Sequence, residues 1–331
     1  MRVLFIGGTG VISSACSELA LQCGIDLYLL NRGKTQTQRP IPRGARVINA
    51  DIRNAGSARQ ALSNMTFDAV VDWIAFTPEH VQTDIDLFRG RTQQYIFISS
   101  ATVYHKPPTS LPITESTPLG NPFWPYAQNK IACEELLNSA YRRGDFPAVI
   151  VRPSHTYDRT KLPCSGGYTS VARMRARKPI VVHGDGTSTW VLTHHTDFAK
   201  GFVGLLGNPR ALGEAFHITS DELLTWNQIY GMIGKAASVE LQIVHAPSAL
   251  IAQHHSDWGV GLIGDKAHSV VFDNSKIKRF VPDFACTVPY ARGAEETMAW
   301  FDGDPARQVI DPVFDRAMDE IVAAMGRAQR G

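Results

Sequence analysis

The amino-terminal stretch constrains the fold of this chain more than any other part of the sequence. Arg2–Ile6 is a short apolar run, and the run Gly7-Gly-Thr-Gly-Val-Ile-Ser13 follows it directly. The next residues have the apolar spacing of a helix that stops near Cys23. Glycines at such a turn let the backbone bend sharply and approach a pyrophosphate, which then lies at the positive amino terminus of the helix. The stretch therefore predicts a site for a dinucleotide, with Ser13 standing where a third glycine is usual.

Further apolar runs alternate with helical segments through the first half of the chain. The predicted strands and the helix between the last two are Asp26–Leu30, Arg46–Ala50, Ala69–Asp72, Pro78–Arg89 (helix) and Gln94–Ile98. Strands that alternate with helices at this spacing indicate an α/β fold, a Rossmann-type doubly wound parallel sheet. Ligands of such sheets bind at the carboxyl ends of the strands.

The end of the second predicted strand bears on the choice of cofactor. An acidic side chain there would bind the ribose 2'-hydroxyl of NAD, whereas an arginine can pair with the 2'-phosphate of NADP. The segment Asn31–Lys34 contains Arg32 and no carboxylate, so an NAD(P) cofactor with a slight preference for NADP is expected. The alternative is that Arg32 is a solvated turn residue. Asp51 and Ile52 end the third strand, where the adenine edge would be met.

A second pattern, Tyr126 and Lys130, indicates proton transfer. The two residues are four positions apart in a segment with helical character, so they share one helix face. A phenol has a pKa of about 10, and an adjacent ammonium and a cationic nicotinamide would both favour the phenolate. Alone, such a pair is usually an aromatic ring packed beside a solvated lysine. Ser100, after the fifth strand, is expected to hold the substrate oxygen while Tyr126 moves the proton, whereas Ser99 would cap the turn.

Three motifs in this order resemble a known superfamily. The segments Gly7–Ser13, Ser99–Tyr104 and Tyr126–Lys130 are similar to those of extended short-chain dehydrogenases/reductases, in their epimerase/dehydratase branch. The segments that look closest to the subgroup with the chloroplast stem-loop-binding proteins are Asn31–Lys34, Trp73–Pro78 and Phe272–Lys276. Val151–Tyr157 looks like the sixth strand of the family, and the chain from His183–Gly186 to Asp197–Ala199 looks like the hairpin and helix that follow.

The resemblance implies roles for individual residues. Ser100, Tyr126 and Lys130 would be catalytic, and Lys130 would also hold the nicotinamide ribose. The implied cofactor contacts are Gly7, Thr9, Gly10, Val11, Ile12, Asn31, Arg32, Asp51, Ile52, Lys130 and Pro153. Residues 1–157 plus 190–224 would form the dinucleotide-binding domain, and residues 158–189 plus 225–331 a smaller, interleaved carboxyl-terminal substrate domain.

The substrate side departs from the family pattern. Members that act on nucleotide diphosphate sugars place an asparagine where this chain has His155, and arginines where it has Trp190 and Leu262. Arginine contacts make a diphosphate site strong, so their loss argues against an ordinary UDP- or dTDP-sugar. The basic residues that could replace them are Lys266, Arg173 and Arg175.

Other residues are expected at the substrate pocket. His155 follows the sixth strand, and it is either a contact or auxiliary acid/base for a substrate hydroxyl or a structural hydrogen-bonding residue. The expected substrate contacts are Thr102, His155, Trp190 and Cys164, with Trp258 as a further aromatic candidate.

Composition limits the remaining possibilities. The 331 residues have a formal net charge of +2 and five cysteines without a CxxC pair, which favours a reducing compartment and no metal site. The sequence has neither a signal-peptide layout nor a membrane-spanning run, so a cytoplasmic protein is expected. The basic run Arg173–Lys178 is either a phosphate-facing patch or a solvated helix face, and nucleic acid is a disfavoured partner. The helical pattern Pro312–Met325 is expected to pack on the body or on a partner subunit, as in a homodimer.

These observations favour an enzyme. An NAD(P)-dependent epimerase/oxidoreductase would act on a secondary alcohol of a sugar-like substrate through a transient ketone, with Tyr126 as base. An NADPH-dependent net reductase and a dehydratase are the alternatives within this class. A non-catalytic dinucleotide- or RNA-binding protein is the alternative from another class, which the complete set of Ser100, Tyr126 and Lys130 disfavours.

Overall fold

The computed structural model describes residues 1–33 and 39–328 and contains both strands and helices. The strands are β1 Arg2–Ile6, β2 Asp26–Asn31, β3 Arg46–Asn49, β4 Ala69–Asp72, β5 Tyr95–Ile98, β6 Ala148–Pro153, β7 His155–Tyr157, β8 Ile180–His183, β9 Thr189–Trp190, β10 Leu192–His194, β11 Ala215–Ile218, β12 Leu224–Thr225 and β13 Ile243–Ala246. The helices are α1 Ser13–Gln22, α2 Ala55–Leu62, α3 Pro78–Phe88, α4 Pro125–Arg142, α5 Tyr168–Arg175, α6 His195–Val203, α7 Trp226–Ala236, α8 Ser248–His254, α9 Ser256–Gly261, α10 Ser275–Phe280, α11 Tyr290–Asp302 and α12 Pro312–Ala328.

A seven-stranded parallel sheet organises the molecule. Its strand order is β11-β6-β5-β4-β1-β2-β3, and every neighbouring pair runs parallel. The chain moves outward from β1 to β3 and then returns to place β4 on the other side of β1. This reversal leaves a crevice at the carboxyl ends of β1 and β4, where sheets of this kind bind ligands. The predicted doubly wound α/β fold is confirmed.

The central strands are apolar because both faces of the sheet are covered. Val3 and Phe5 of β1 pack in one core cluster, and Leu4 and Ile6 pack in another on the opposite face. Successive side chains of a strand point to opposite faces, so a strand covered on both sides is a continuous apolar run rather than an alternating one. This explains why Arg2–Ile6 was recognisable from its composition alone.

A separate core lies in the carboxyl-terminal part of the chain. It contains aromatic residues of several elements, among them Tyr157, Trp190, Trp226 and Tyr290. Strand β11 belongs to the central sheet, whereas Trp190 of β9 packs in the carboxyl-terminal core. The proposed division of the chain at residues 157, 190 and 224 stays a prediction.

One expected supersecondary element is absent. His183–Gly186 does not form a hairpin, because β8 pairs in parallel with β13 and β9 pairs in antiparallel with β12. The turn after β8 instead approaches α7, where a Cβ on Gly186 would lie 2.0 Å from Oδ1 of Asn227. The helix expected next is present as α6.

Two residues of the basic run Arg173–Lys178 are engaged in ion pairs, whereas Arg177 and Lys178 are exposed after the end of α5. Arg173 is 2% exposed and pairs with Asp315 and Asp319 of α12 at 2.6 and 2.7 Å. Arg175 pairs with Asp302 at 2.7 Å. Arg173 fastens α12 to the body, as far as the structure describes that helix. In the same described range, no helix has the length and apolarity needed to cross a membrane.

Candidate functional site

The glycine turn after β1 approaches its surroundings too closely to carry side chains. Gly7 has φ +84°, and a Cβ on it would lie 2.7 Å from Cγ2 of Ile74. Ile74 is itself held in place, since its N–H donates to Asp72 at 2.6 Å and its carbonyl accepts from Arg53 at 2.6 Å. The turn leads directly into α1, whose first N–H groups have no intrahelical partner. This is a cradle that fits a pyrophosphate.

Ser13 fastens the turn from within. Its hydroxyl donates to the carbonyl of Gly7 at 2.8 Å and accepts from the N–H of Gly10 at 2.7 Å. One turn further along α1, Ser17 donates to the carbonyl of Gly8 at 2.8 Å. Ser13, which stands where a third glycine is usual, therefore stabilises the cradle through its hydroxyl. The small size of the residue alone did not predict this role.

The other expected cofactor residues lie at neighbouring strand ends. Asn31 ends β2, Arg32 follows it as an exposed residue, and Lys34 lies outside the described residues. Asp51 accepts a hydrogen bond from the N–H of Arg53 at 3.0 Å, and Ile52 is buried. Asp51 thus shapes the turn before α2 in addition to standing where adenine is expected.

Lys130 is buried beneath the crevice. Helix α4 begins with Pro125, whose fixed φ suits a first helical position, and Lys130 lies in the second turn. Its ammonium donates to the carbonyls of Ala75 and Ile98 at 2.6 and 2.7 Å. Burial lowers the pKa of Lys130 to about 8. The ammonium lies 5.8 Å from the ring centroid of Tyr126, so the two residues share a helix face as expected.

Tyr126 and Ser100 form the polar pair above this lysine. A hydrogen bond with Ser100 lowers the pKa of Tyr126, but burial has the larger effect and raises that pKa above its ordinary value. The N–H and the hydroxyl of Thr102 both donate to Oγ of Ser100, at 3.2 and 3.0 Å. The Ser100 proton is therefore free to point towards Tyr126. Thr102, expected as a substrate contact, orients Ser100.

A cavity of about 410 Å³ joins these groups to the carboxyl-terminal part of the chain. The expected residues that line it are Ile12, Ser100, Thr102, Tyr126, Lys130, Pro153, His155 and Trp190. The residues that sequence reasoning did not assign to it include Phe76, Lys106, Trp124, Lys161, Asp265 and Phe272. Lys266, considered as a replacement for a missing arginine, also lines the cavity. Its volume is within the range of about 300–1,000 Å³ that is usual for ligand sites.

His155 and Trp190 meet in this cavity. The indole N–H of Trp190 donates to Nδ1 of His155 at 3.1 Å. Burial, and after it the charges of Lys266 and Lys161, lowers the pKa of His155 well below its usual range. An indole can only donate, so Nδ1 of the neutral imidazole carries no proton and Nε2 carries one. His155 is thus a hydrogen-bond donor, which does not support its expected alternative as an auxiliary acid/base.

Two other candidates, Cys164 and Trp258, lie elsewhere, and so does Leu262, which stands in place of a family arginine. Cys164 is absent from the cavity lining and packs against the carboxyl-terminal core, where burial raises its pKa to about 12. Trp258 packs on Phe314 of α12, with ring centroids 4.6 Å apart. Leu262 is buried in the same small core. Among the described residues, no group of three or more His, Cys, Asp or Glu side chains is arranged to hold a metal ion.

Known proteins are similar to this chain in sequence and in fold. The family model described as "NAD dependent epimerase/dehydratase family" matches residues 3–219. The 2'-dehydrokanamycin reductase of Streptomyces kanamyceticus is 25% identical over 288 residues, which are 86% of this chain and 80% of the relative. The chloroplast stem-loop binding protein of 41 kDa b of Arabidopsis thaliana is 26% identical over 259 residues, 74% of this chain and 65% of the relative.

A solved structure is similar in fold over nearly the whole chain. The UDP-glucuronic acid 4-epimerase from Bacillus cereus, in complex with NAD, superposes with a TM-score of 0.71 at 20% identity. The match covers 93% of this chain and 100% of that one. A likeness at this identity shows a shared fold.

Proposed function

The chain belongs to the NAD-dependent epimerase/dehydratase family, and from this premise we propose that it acts on a secondary alcohol of a sugar-like substrate through a transient ketone. Bound NAD(P)+ would supply an acceptor for the carbinol hydrogen as hydride. Ser100 would donate a hydrogen bond to the reacting oxygen, and Tyr126 would take the hydroxyl proton. The proposed reaction is an epimerisation, in which the reduction then occurs on the other face of the ketone.

The observation that supports this proposal best is the convergence of Ser100, Tyr126 and Lys130 on one cavity below the glycine turn. Burial raises the pKa of Tyr126 above its ordinary value, which makes loss of the phenol proton harder. Its deprotonation therefore calls for a positive charge on the cavity side, and an oxidised nicotinamide beside Ile12 and Pro153 would provide it. Lys130 would hold the nicotinamide ribose with the same ammonium that now bonds to Ala75 and Ile98.

We also propose that the substrate is not an ordinary UDP- or dTDP-sugar. Trp190 and His155 bond to each other, and the resemblance implies that these are the positions of arginine and asparagine in enzymes of nucleotide diphosphate sugars. Arg173 and Arg175 are engaged in ion pairs with acidic residues. Neither arginine therefore replaces the missing anchors.

The test of the proposed base is Tyr126→Phe. NAD(P)-loaded protein is mixed with a panel of free sugars, sugar acids and polyols, and hydride transfer is followed by nicotinamide absorbance. General-base loss should reduce the rate on the accepted substrate by about 10²- to 10⁴-fold. Tyr141→Phe, an exposed tyrosine on the same helix, is the matched control and should leave the rate unchanged. Near-wild-type turnover in Tyr126→Phe would refute the assignment.

A second proposal concerns the choice between NADP and NAD. NADP is favoured over NAD because Arg32 is exposed after β2 and available to a 2'-phosphate. The affinities for both cofactors, measured before and after Arg32→Ala, check this contact. An unchanged ratio would contradict it.

Net reduction and dehydration are the alternatives within the same chemistry, and the relative named as a reductase favours the first of them. The cofactor that copurifies with the protein separates the cases. Tightly held oxidised cofactor supports internal recycling of the hydride, whereas empty protein that binds NADPH reversibly supports a net reductase.

RNA binding is the alternative that the stem-loop-binding relative suggests. The ion pairs of Arg173 and Arg175 weigh against it, because they engage two of the four basic residues of the run that a phosphate backbone would contact. Salt-sensitive RNA binding without turnover on the substrate panel would favour this alternative.

A further inference from the structure

The substrate side of the cavity has an unbalanced charge. Its lining includes Lys106, Lys161 and Lys266 and one carboxylate, Asp265. Asp265 pairs with Lys106 at 2.9 Å, and that lysine is buried. Within the part of the chain that the structure describes, neither Lys161 nor the ammonium of Lys266 pairs with a carboxylate. This side of the cavity therefore has three lysines against one carboxylate, with Lys161 solvent-exposed and Asp265 close enough to act on Lys266 as well as on Lys106.

Lys266 is held rigidly at this position. Its carbonyl accepts two hydrogen bonds, from the indole of Trp226 at 3.1 Å and from Nε2 of His183 at 3.0 Å. Two residues before it, the carbonyl of Gly264 accepts from the amide of Asn121 at 2.7 Å. Its ammonium lies 5.6 Å from the ring centroid of Trp124. These hydrogen bonds fix the backbone at Lys266, and burial of the side chain, which lowers the pKa of Lys266, distinguishes it from a surface lysine.

His155 adds a third donor on the same side. Its Nε2 carries the proton because the indole of Trp190 occupies Nδ1. The imidazole is neutral, since burial and the two lysines lower its pKa well below the usual range. Two ammonium groups and one N–H together present donors only. Such a set matches a group that only accepts hydrogen bonds and carries negative charge.

We propose that Lys266, Lys161 and Nε2 of His155 form a subsite for an anionic group, a carboxylate or a phosphate, on the sugar-like substrate. The cavity of about 410 Å³ must also take the nicotinamide, so the anion belongs to a small substrate such as a sugar acid or a sugar monophosphate. This inference rests on the proposed function for the position of the reacting alcohol. It also predicts poor binding of sugars that carry amino groups.

Binding of three matched probes to the NAD(P)-loaded protein tests the subsite. The probes are glucose, glucuronate and glucose 6-phosphate, and the readout is intrinsic fluorescence, because Trp124 and Trp190 line the cavity. We expect at least one anionic probe to bind about tenfold or more tightly than glucose, the gain of one charge-assisted contact. The stronger anionic probe identifies the group as carboxylate or phosphate.

Variants connect the preference to the lysines. Lys266→Met and Lys161→Met keep the side-chain stems and should each reduce the preference for the anion by about tenfold. Lys235→Met removes an exposed charge on α7 and should leave it unchanged. Equal binding of neutral and anionic probes, binding of none, or a preference that survives in both cavity variants would overturn the proposal.

Failure of the subsite is distinguishable from failure of the proposed function. Tyr126→Phe should lose hydride transfer and keep the preference for anions. If turnover depends on Tyr126 while no probe shows a preference, the subsite is wrong and the catalytic assignment stands. If the preference depends on Lys266 and Lys161 while turnover is independent of Tyr126, the catalytic assignment is wrong and the subsite stands.

Discussion

At the scale of single residues, the groups that would react are oriented by neighbours that do not react. Thr102 donates twice to Ser100, and Trp190 determines which nitrogen of His155 carries a proton. These partners are close in space, and only Thr102 is close in sequence. A sequence motif identifies the residue that would react. Which atom of that residue faces the substrate depends on contacts with residues outside the motif.

The clearest prediction at this scale concerns Ser13. Ser13→Ala removes one donor and one acceptor inside the glycine turn and leaves the carbonyl of the half-buried Gly7 without that partner. We expect a loss of about 1–3 kcal/mol in the free energy of unfolding and weaker NAD(P) affinity. Both are measurable by denaturant unfolding and by cofactor titration.

Ser14→Ala is the adjacent control. The hydroxyl of Ser14 makes a long hydrogen bond of 3.5 Å to the carbonyl of Val11, so its removal should change little. Equal effects of the two substitutions would show that the turn does not depend on the Ser13 hydroxyl.

At the scale of elements, the sequence predicted what is local. β4 spans Ala69–Asp72 as expected. The parallel direction of the strands was predictable because strands and helices alternate along the chain. The cavity wall was not predictable in the same way, because Lys106, Lys161 and Lys266 come from three distant segments. Arg173 was misjudged for the same reason, since its partners on α12 lie more than a hundred residues away.

The attachment of α12 gives a second prediction. Arg173→Met removes both ion pairs of a buried guanidinium and should lower the free energy of unfolding by about 1–3 kcal/mol, a range reduced because Asp315 and Asp319 are partly exposed. Amide hydrogen exchange in residues 312–328 should rise with it. Arg316→Met, at an exposed position of the same helix, is the control. Unchanged exchange in Arg173→Met would contradict this role.

At the scale of the whole molecule, two buried histidines contribute to the way stability responds to acid. Burial lowers the pKa of both His183 and His195 from 6.5 to about 4. Their neutral forms stabilise the fold fully above pH 6.5, and this contribution is lost as the pH falls towards about 4 because the unfolded chain binds the protons first. Each histidine should add about 1.4 kcal/mol per pH unit to the slope in this window.

Unfolding titrations across this pH range measure that slope. His183→Gln retains a donor for the carbonyl of Lys266 and removes one titrating group, so its slope should be smaller by about one proton. Identical slopes for His183→Gln and the unaltered protein would refute this account.

The hydrogen bonds of Lys130 have a consequence for how such chains diverge. The ammonium joins the carbonyls of Ala75 and Ile98 before any ligand arrives, so the lysine supports the fold as well as the proposed chemistry. A descendant that abandons catalysis would still be under selection to keep Lys130, whereas drift could replace Tyr126 at a smaller cost in stability. Among related chains, a retained lysine is therefore weak evidence of activity, and a retained tyrosine is the better marker.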